Sequence, residues 1–231
     1  MTERRWPRYT PVGDSALLVE FGDQIDEAIN RRVRALAQAL ARASTPGLGE
    51  AVPSYRSLLV HYDPLCLDYR KVERWVRKQV RQTAAVPLPE PRLVEIPTVY
   101  GGEFGPDLGF VAEHNGLSTQ EVIRIHSRAS YPVYMIGFSP GFPYLGGMDS
   151  AIAAPRLETP RIRVPAGSVG IAGPQTGIYP IESPGGWRII GRTSLGLFDP
   201  HADPPALLSA GDLVCFVPIS EAEFDSMSES A

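Results

Sequence analysis

The chain of 231 residues is poor in the side chains that build metal centres and disulfides. It has two cysteines, Cys66 and Cys215, and four histidines, His61, His114, His126 and His201. None of these stands at ligand spacing from another, and His201 between Asp199 and Asp203 reads as a surface cluster, so no metal site is expected. The cysteines are far apart and each sits in an apolar run, which points to buried free thiols in a reducing compartment. Positive charge is not in surplus: the formal net charge is −4. A chain without spare Lys and Arg has little with which to neutralise phosphates, so no nucleic-acid partner is expected. No run approaches the ~18 apolar residues of a membrane span, and the opening MTERRWPRYT holds no apolar leader segment. The expectation is a soluble cytoplasmic protein with no membrane partner.

Two catalytic signatures are missing as well. No G-x-x-x-x-G-K-[ST] loop occurs, so the chain alone has no standard means of binding ATP. Phe138-Ser139-Pro140-Gly141 lacks the G-x-S-x-G elbow, and the proline removes an N–H that the elbow's oxyanion hole would use. Ser139 is a poor nucleophile candidate.

Proline and glycine, by contrast, are plentiful, at 23 and 22 residues, and they crowd into the stretch from Met135 to Thr193. Short apolar runs, Val169 to Ala172 and Trp187 to Ile190, stand between them and read as strands joined by tight turns. Proline fixes φ and glycine supplies positive φ, so such a stretch fixes irregular loops beside a sheet. A flexible linker is the alternative, but Ile136, Phe138, Phe142, Tyr144, Ile171, Tyr179 and Trp187 are too apolar for a solvated tether.

The rest of the chain organises around this stretch. A strand over 9–22 is followed by a helix capped by Asp26, with Ile29, Val33, Leu36, Ala37 and Leu40 at helical spacing. Pro46-Gly47 ends that helix, a strand covers Ser57 to Tyr62, and a second helix starts near Asp68. Arg70, Lys71, Arg74, Arg77, Lys78 and Arg81 form its solvated face. This β-α-β-α order describes a small α/β sandwich over residues 1–83. Residues 84–91 read as a stiff proline-rich linker, residues 92–220 as a mainly β domain, and 221–231 as a polar, frayed tail. Within 106–130, Ser118 and Glu121 form a capping box, with Leu117 and Val122 as a hydrophobic staple. Two short helices are expected there, covering one end of the β domain rather than reading DNA.

The chemistry is that of a pocket. Arg161, Arg163, Arg188 and Arg192 on short strands suit a carboxylate or carboxyphosphate ligand, and Ala166-Gly167-Ser168 can bring backbone donors to an anion. Gln175, Thr176 and Tyr179 add hydrogen-bonding groups, while Phe138, Phe142 and Tyr144 add an apolar wall. The same arginines read equally well as clamps on loop carbonyls and on Asp149, Glu158 or Glu182.

The strings GFSPGFPYLGGM (137–148), RVPAGSVGIAG (163–173), QTGIYPIESPGGWRIIGRT (175–193) and AGDLVCFVPI (210–219) resemble the allophanate-hydrolase subunit 1 family, over essentially residues 9–219. Within that family the likeness is strongest to the B subunits of ATP-dependent 5-oxoprolinases. It also includes the kinase inhibitor KipI and half of the carboxyltransferase domain of biotin-dependent urea carboxylase. The resemblance implies an α+β protein with an N-terminal α/β domain and a cyclophilin-like β-barrel. It implies one component of a larger enzyme, inactive alone. Its partners would be a C subunit, homologous to this chain, and a separate A subunit, and together they would open 5-oxo-L-proline to L-glutamate. No cofactor is expected on this chain alone; ATP and Mg2+ would belong to the complete complex. The implied ligand face comprises Phe138, Ser139, Gly141, Phe142 and Tyr144 on one loop. It continues through Arg163, Ala166, Gly167 and Ser168 on a turn to Gln175, Thr176 and Tyr179. No residue is assigned as catalytic acid or base. A KipI-type inhibitor of a histidine kinase and a carboxyltransferase half are the alternative readings.

Overall fold

The computed structural model describes residues 6–43, 45–83 and 88–229, and the chain divides into two compact units between Glu90 and Pro91. Of the proline-rich segment at 84–91, residues 84–87 lie outside the described residues.

In the N-terminal unit β1 (Arg8–Val12) and β2 (Ala16–Glu20) make a hairpin about Gly13, whose φ is 61°. Then come α1 (Glu27–Ala43), β3 (Leu48–Pro53), β4 (Ser57–Tyr62) and α2 (Tyr69–Thr83). The four strands form one antiparallel sheet in the order β1-β2-β4-β3. Leu17, Val19, Leu58 and Val60 of the sheet share a core with Val33, Leu36 and Leu40 of α1 and Val72 and Val76 of α2. Helix starts are set by side chains: Asp26 Oδ1 accepts from the Ile29 N–H at 3.0 Å and Asp68 Oδ1 from the Lys71 N–H at 2.9 Å, satisfying donors that the helix itself cannot.

The element order here is β-β-α-β-β-α, not the β-α-β-α expected from the pattern. The run at 9–22 is a hairpin because Gly13 reverses the chain. β3 carries no strand pattern in the sequence because Gly49, the exposed Glu50 and Pro53 interrupt its alternation. Neither cysteine is buried: Cys66 is exposed, its thiol hydrogen-bonded to Asp63 and thereby raised in pKa, and Cys215 is half-buried beside Ser130.

The C-terminal unit begins with β5 (Leu93–Tyr100), α3 (Leu108–His114), α4 (Thr119–Ser127), β6 (Ser130–Ile136) and β7 (Pro143–Leu145). A single 3-10 turn at Ser150–Ile152 precedes β8 (Arg161–Val164), β9 (Ser168–Ala172), β10 (Gln175–Ile178) and β11 (Ser183–Gly185). The last elements are β12 (Arg188–Arg192), β13 (Leu213–Pro218) and α5 (Glu221–Glu229). Seven strands close a barrel in the order β10-β7-β6-β13-β5-β12-β9, and β8 pairs with β11 outside it. Closure removes the edges that open sheets leave unpaired. β13 lies parallel to β5, while the other barrel pairs are antiparallel.

Ile96, Val133, Leu145, Val169, Ile178 and Val214 fill the barrel, and Val111, Val122 and Ile125 of α3 and α4 join the same cluster. The helical pair is thus a cover for barrel core. Its capping box is present: Ser118 Oγ accepts from the Glu121 N–H, and Glu121 Oε2 accepts from the Ser118 N–H at 2.8 Å.

The polar end is not frayed. Residues 221–229 form α5, Phe224 is buried, and its ring lies 4.9 Å from that of Phe104. The signal was a second capping box, Ser220 with Glu223, whose Oε2 accepts from the Ser220 N–H at 2.7 Å. One apolar residue fixed at helical spacing suffices to dock a short helix once its first turn is capped.

His126 of α4 is wholly enclosed. Its Nδ1 lies 2.8 Å from the Tyr100 hydroxyl and its Nε2 2.9 Å from Thr176 Oγ1. Thr176 donates its own proton to the Gly170 carbonyl, so it accepts from Nε2–H, and Nδ1 accepts from Tyr100. Burial pushes the imidazole pKa from its ordinary 6.5 down to about 3. Unfolding lets the ring take up a proton, so this group's contribution is complete above pH 6.5 and is lost as pH falls from 6.5 towards 3. The local slope is at most about 1.4 kcal/mol per pH unit. The ring resonances of His126 are expected to stay fixed in an NMR titration from pH 8 to 4.5; a midpoint near 6.5 would contradict this placement.

Candidate functional site

The barrel end where the β6–β7, β10–β11 and β11–β12 connections meet carries a cleft of about 340 Å³. Its floor is aromatic. Phe142 precedes β7, Tyr144 lies on it, Tyr179 follows β10 and Trp187 precedes β12. Phe142 is the hub, with edge-on or tilted contacts to Tyr144, Tyr179 and Trp187 at ring separations of 5.1, 5.4 and 5.5 Å, each worth about 0.5–1.5 kcal/mol beyond area burial. These rings form a cluster of their own, with Val164, Ala172 and Ile189, apart from the barrel core. Gly177 on β10 makes room for it: a Cβ there would stand 3.1 Å from the Trp187 ring and 3.2 Å from that of Phe142.

Phe138 stands at the cleft's mouth, 71% exposed, with a φ of 65°. A non-glycine residue in the left-handed region costs about 1–2 kcal/mol, and such strain collects at binding loops. The neighbouring Ser139 hydroxyl is buried and has no hydrogen-bond partner among the described residues. Pro160, Pro184, Gly185, Gly186 and Arg156 complete the walls. The Arg156 guanidinium lies 5.9 Å from the Trp187 ring centre. Burial holds the Tyr179 phenol above its usual pKa, partly offset by a hydrogen bond from the Trp187 backbone and by Arg156 and Arg161. It is therefore a neutral hydroxyl at physiological pH. Among the described residues no carboxylate, imidazole or thiol lines the cleft.

Behind the floor lies a buried clamp that spacing did not reveal. Asp107, just before α3, accepts a hydrogen bond from Arg161 Nη2 at 2.9 Å, lies 2.9 Å from Arg161 Nη1 in the same ion pair, and accepts from the Ile189 N–H at 2.7 Å. Arg161 in turn reaches the Trp187 carbonyl at 3.4 Å, so the pair holds the segment that carries the Trp187 ring.

The twelve residues of the expected ligand face separate on this geometry. Phe138, Phe142, Tyr144 and Tyr179 line the cleft together. Gly141 shapes the loop: at φ 81°, a Cβ there would lie 2.8 Å from Phe198. Arg163 is outside, paired with Glu182 at 2.7 Å. The turn expected to cradle an anion is committed elsewhere. Gly167 N–H donates to Tyr179 O at 2.7 Å and Ser168 N–H to Pro165 O at 3.3 Å, while Ala166 O accepts from Arg192 Nε. Thr176 is fully buried on the His126 network, and Gln175 sits half-buried on β10 opposite Ala172. The four arginines singled out are clamps: Arg161 on Asp107, Arg163 on Glu182, Arg188 on the Pro155 carbonyl, the Phe110 ring and, at 3.9 Å, Asp107, and Arg192 on Ala166. Arg156, unmarked by any motif, is the arginine in the cleft.

The family model for the carboxyltransferase domain, subdomain C and D, matches residues 7–208. The chain is 48% identical to the B subunit of the Bacillus subtilis 5-oxoprolinase over 95% of this chain and 96% of that one. To the B subunit of the Escherichia coli O157:H7 5-oxoprolinase it is 45% identical, over 91% and 95%. The crystal structure of TTHA0988 is similar at a TM-score of 0.79 and 42% identity, over 89% of this chain and 40% of that longer one. With relatives of matching length at this identity and a family match over most of its residues, the chain belongs to the carboxyltransferase domain family, subdomains C and D.

Proposed function

We propose that the chain is the B subunit of an ATP-dependent 5-oxoprolinase. With a C subunit, homologous to this chain, and an A subunit, it opens 5-oxo-L-proline to L-glutamate. The observation that carries the reading is the likeness to 5-oxoprolinase B subunits over more than nine-tenths of both chains. The cleft is consistent with it in size and chemistry. An aromatic floor with one cation suits a small ring bearing a negative charge.

An unstrained lactam resists hydrolysis, and phosphorylating its amide oxygen makes the carbon electrophilic and supplies a leaving group. That chemistry needs a nucleotide site and groups that move protons. Among the described residues the ionisable side chains lining this cleft are Arg156 and the phenols of Tyr144 and Tyr179, both held above the usual tyrosine pKa by burial. None of these exchanges protons readily near neutral pH, and the Gly167 and Ser168 N–H groups are already bonded to the Tyr179 and Pro165 carbonyls. The part played by this chain is to hold and orient the ligand, with ATP and its metal ion carried by the partners, and the chain alone is inactive.

Reconstitution with its genomic neighbours, leaving out one component at a time, tests the reading. Glutamate release from 5-oxo-L-proline and ATP is expected only when this chain is present. A complex fully active without it would overturn the proposal and favour a KipI-type regulatory role, for which histidine-kinase binding is the direct assay.

A further inference from the structure

We propose that Arg156 is the carboxylate-binding residue of the aromatic cleft, and that the cleft selects small cyclic carboxylates with the ring seated on Phe142, Trp187 and Tyr179. The identity of the ligand as 5-oxo-L-proline rests on the proposed function; the chemical class rests on the cleft alone.

Arg156 differs from the other arginines of this region. Arg161 and Arg163 hold carboxylates, Arg188 a loop carbonyl and, at 3.9 Å, the Asp107 carboxylate, and Arg192 a loop carbonyl. Among the described residues Arg156 has neither, although its guanidinium lies in the cleft, 5.9 Å from the Trp187 ring centre and close enough to Tyr144 and Tyr179 to act on both phenols. A guanidinium is always charged, presents a planar fork of donors and stacks on aromatic faces. Arg156 is itself exposed, so its hold on a carboxylate comes from the charge-assisted, two-pronged geometry of the fork beside the aromatic wall. The same wall has room for an apolar or amide ring and no carboxylate of its own to repel the ligand or to capture Arg156. Tyr179, kept neutral, retains a hydroxyl proton that a ligand oxygen can accept. An acid group at the guanidinium and a ring against Phe142 and Trp187 satisfy both halves of the site at once.

The test uses the full chain and three probes: 5-oxo-L-proline, cyclopentanecarboxylate and cyclopentanecarboxamide. The readout is the indole N–H resonance of Trp187, identified by its loss in Trp187→Phe. Both acids are expected to shift it in a saturable way, with the amide at least tenfold weaker. Arg156→Met is expected to weaken both acids at least tenfold and leave the amide unchanged, and Arg156→Lys to restore part of the loss. Equal binding of acid and amide, an unaffected Arg156→Met, or no response at Trp187 each overturns the proposal. The two readings fail separately. An active complex whose KM for 5-oxo-L-proline is unchanged in Arg156→Met removes this assignment alone. Acid binding by a chain that proves dispensable for glutamate release removes only the 5-oxoprolinase reading.

Discussion

Gly167→Ala is expected to be among the most damaging single-atom additions to the barrel, and to disturb the cleft although Gly167 does not line it. A Cβ at this position would stand 2.0 Å from the Thr193 carbonyl oxygen, and the residue's φ is 79°. The conformation costs about 1–2 kcal/mol for any side chain, and overpacking adds about 1–3 kcal/mol where neighbours can yield. This neighbour is backbone and cannot swing aside. Gly167 is also the clip between two strands, since its N–H donates to Tyr179 O at 2.7 Å and its carbonyl accepts from the Thr193 N–H at 2.9 Å. Pushing Thr193 away therefore pulls on the segment that carries the Tyr179 ring. Thermal unfolding followed by circular dichroism should show a fall in Tm of roughly 10 °C. The shifts of Trp187 and Tyr179 resonances should change even where the variant remains folded. Gly173→Ala is the internal comparison: its φ of 57° carries the same conformational penalty but a Cβ there meets nothing within 4 Å, so it should cost only about 1–2 kcal/mol. Equal Tm values for the two variants would show that the close approach to Thr193 is relieved at no cost.

The helices and caps were legible because their signals are local. Asp26, Asp68 and the Ser118–Glu121 box each act within three residues of themselves, and the apolar residues of α1 and α2 recur at helical spacing over two or more turns. Strand order was not legible, because pairings such as β5 with β13 join residues about 120 apart, and no local pattern encodes them. The tail was misread for a related reason. Polar composition marks solvated chain on average, and the single Phe224 is buried against residues far away in the sequence, among them Phe104 and Arg192.

The site divides along the same line. Phe138, Phe142, Tyr144 and Tyr179 stood out as aromatic residues among glycines and prolines, where loops and ring-sized gaps are made. Arg163 and the 166–168 turn stood out equally, but Arg163 is paired with Glu182 and the Gly167 and Ser168 N–H groups bond backbone carbonyls, and a free guanidinium and a clamped one look identical in sequence. Only the partners distinguish them: Glu182 for Arg163 and the Tyr179 carbonyl for the Gly167 N–H. Trp187 was noticed as a strand residue, and its ring instead forms cleft floor because it sits one residue before β12, where the ladder no longer sets its direction. Arg156 lies in an irregular segment between Pro155 and Leu157 that carries no motif. Its role is visible only when Trp187 and Tyr179 are brought beside it.

Asp107→Ala is expected to cost about 2–4 kcal/mol and to loosen Trp187 at a distance. Asp107 was hidden in a stretch read for its helices, since its partner Arg161 lies 54 residues on. Its side chain is 9% exposed and that of Arg161 31%. Removing the carboxylate leaves two guanidiniums only partly reached by water, those of Arg161 and, 3.9 Å from Asp107 and 15% exposed, Arg188, and leaves the Ile189 N–H buried without its 2.7 Å acceptor. Loss of one partner of a buried pair costs more than the pair itself contributes, because the remaining charge has already been desolvated; the residual exposure of Arg161 places the expected value below the fully buried range. Asp107→Asn keeps an acceptor for Ile189 but not the charge, so it should recover part of the loss. A shift of the urea midpoint at unchanged m-value measures the cost. The Trp187 indole resonance reports the local consequence, since Arg161 released from Asp107 no longer fixes the Trp187 carbonyl. The expected result is a destabilised fold with a broadened Trp187 signal and weaker binding of cyclic carboxylates in Asp107→Ala, each partly restored in Asp107→Asn. An Asp107→Ala protein within about 0.5 kcal/mol of the parent, with Trp187 unchanged, would mean that β12 and the aromatic cluster hold the cleft floor without the clamp. Ligand selectivity would then depend on the rings and Arg156 alone.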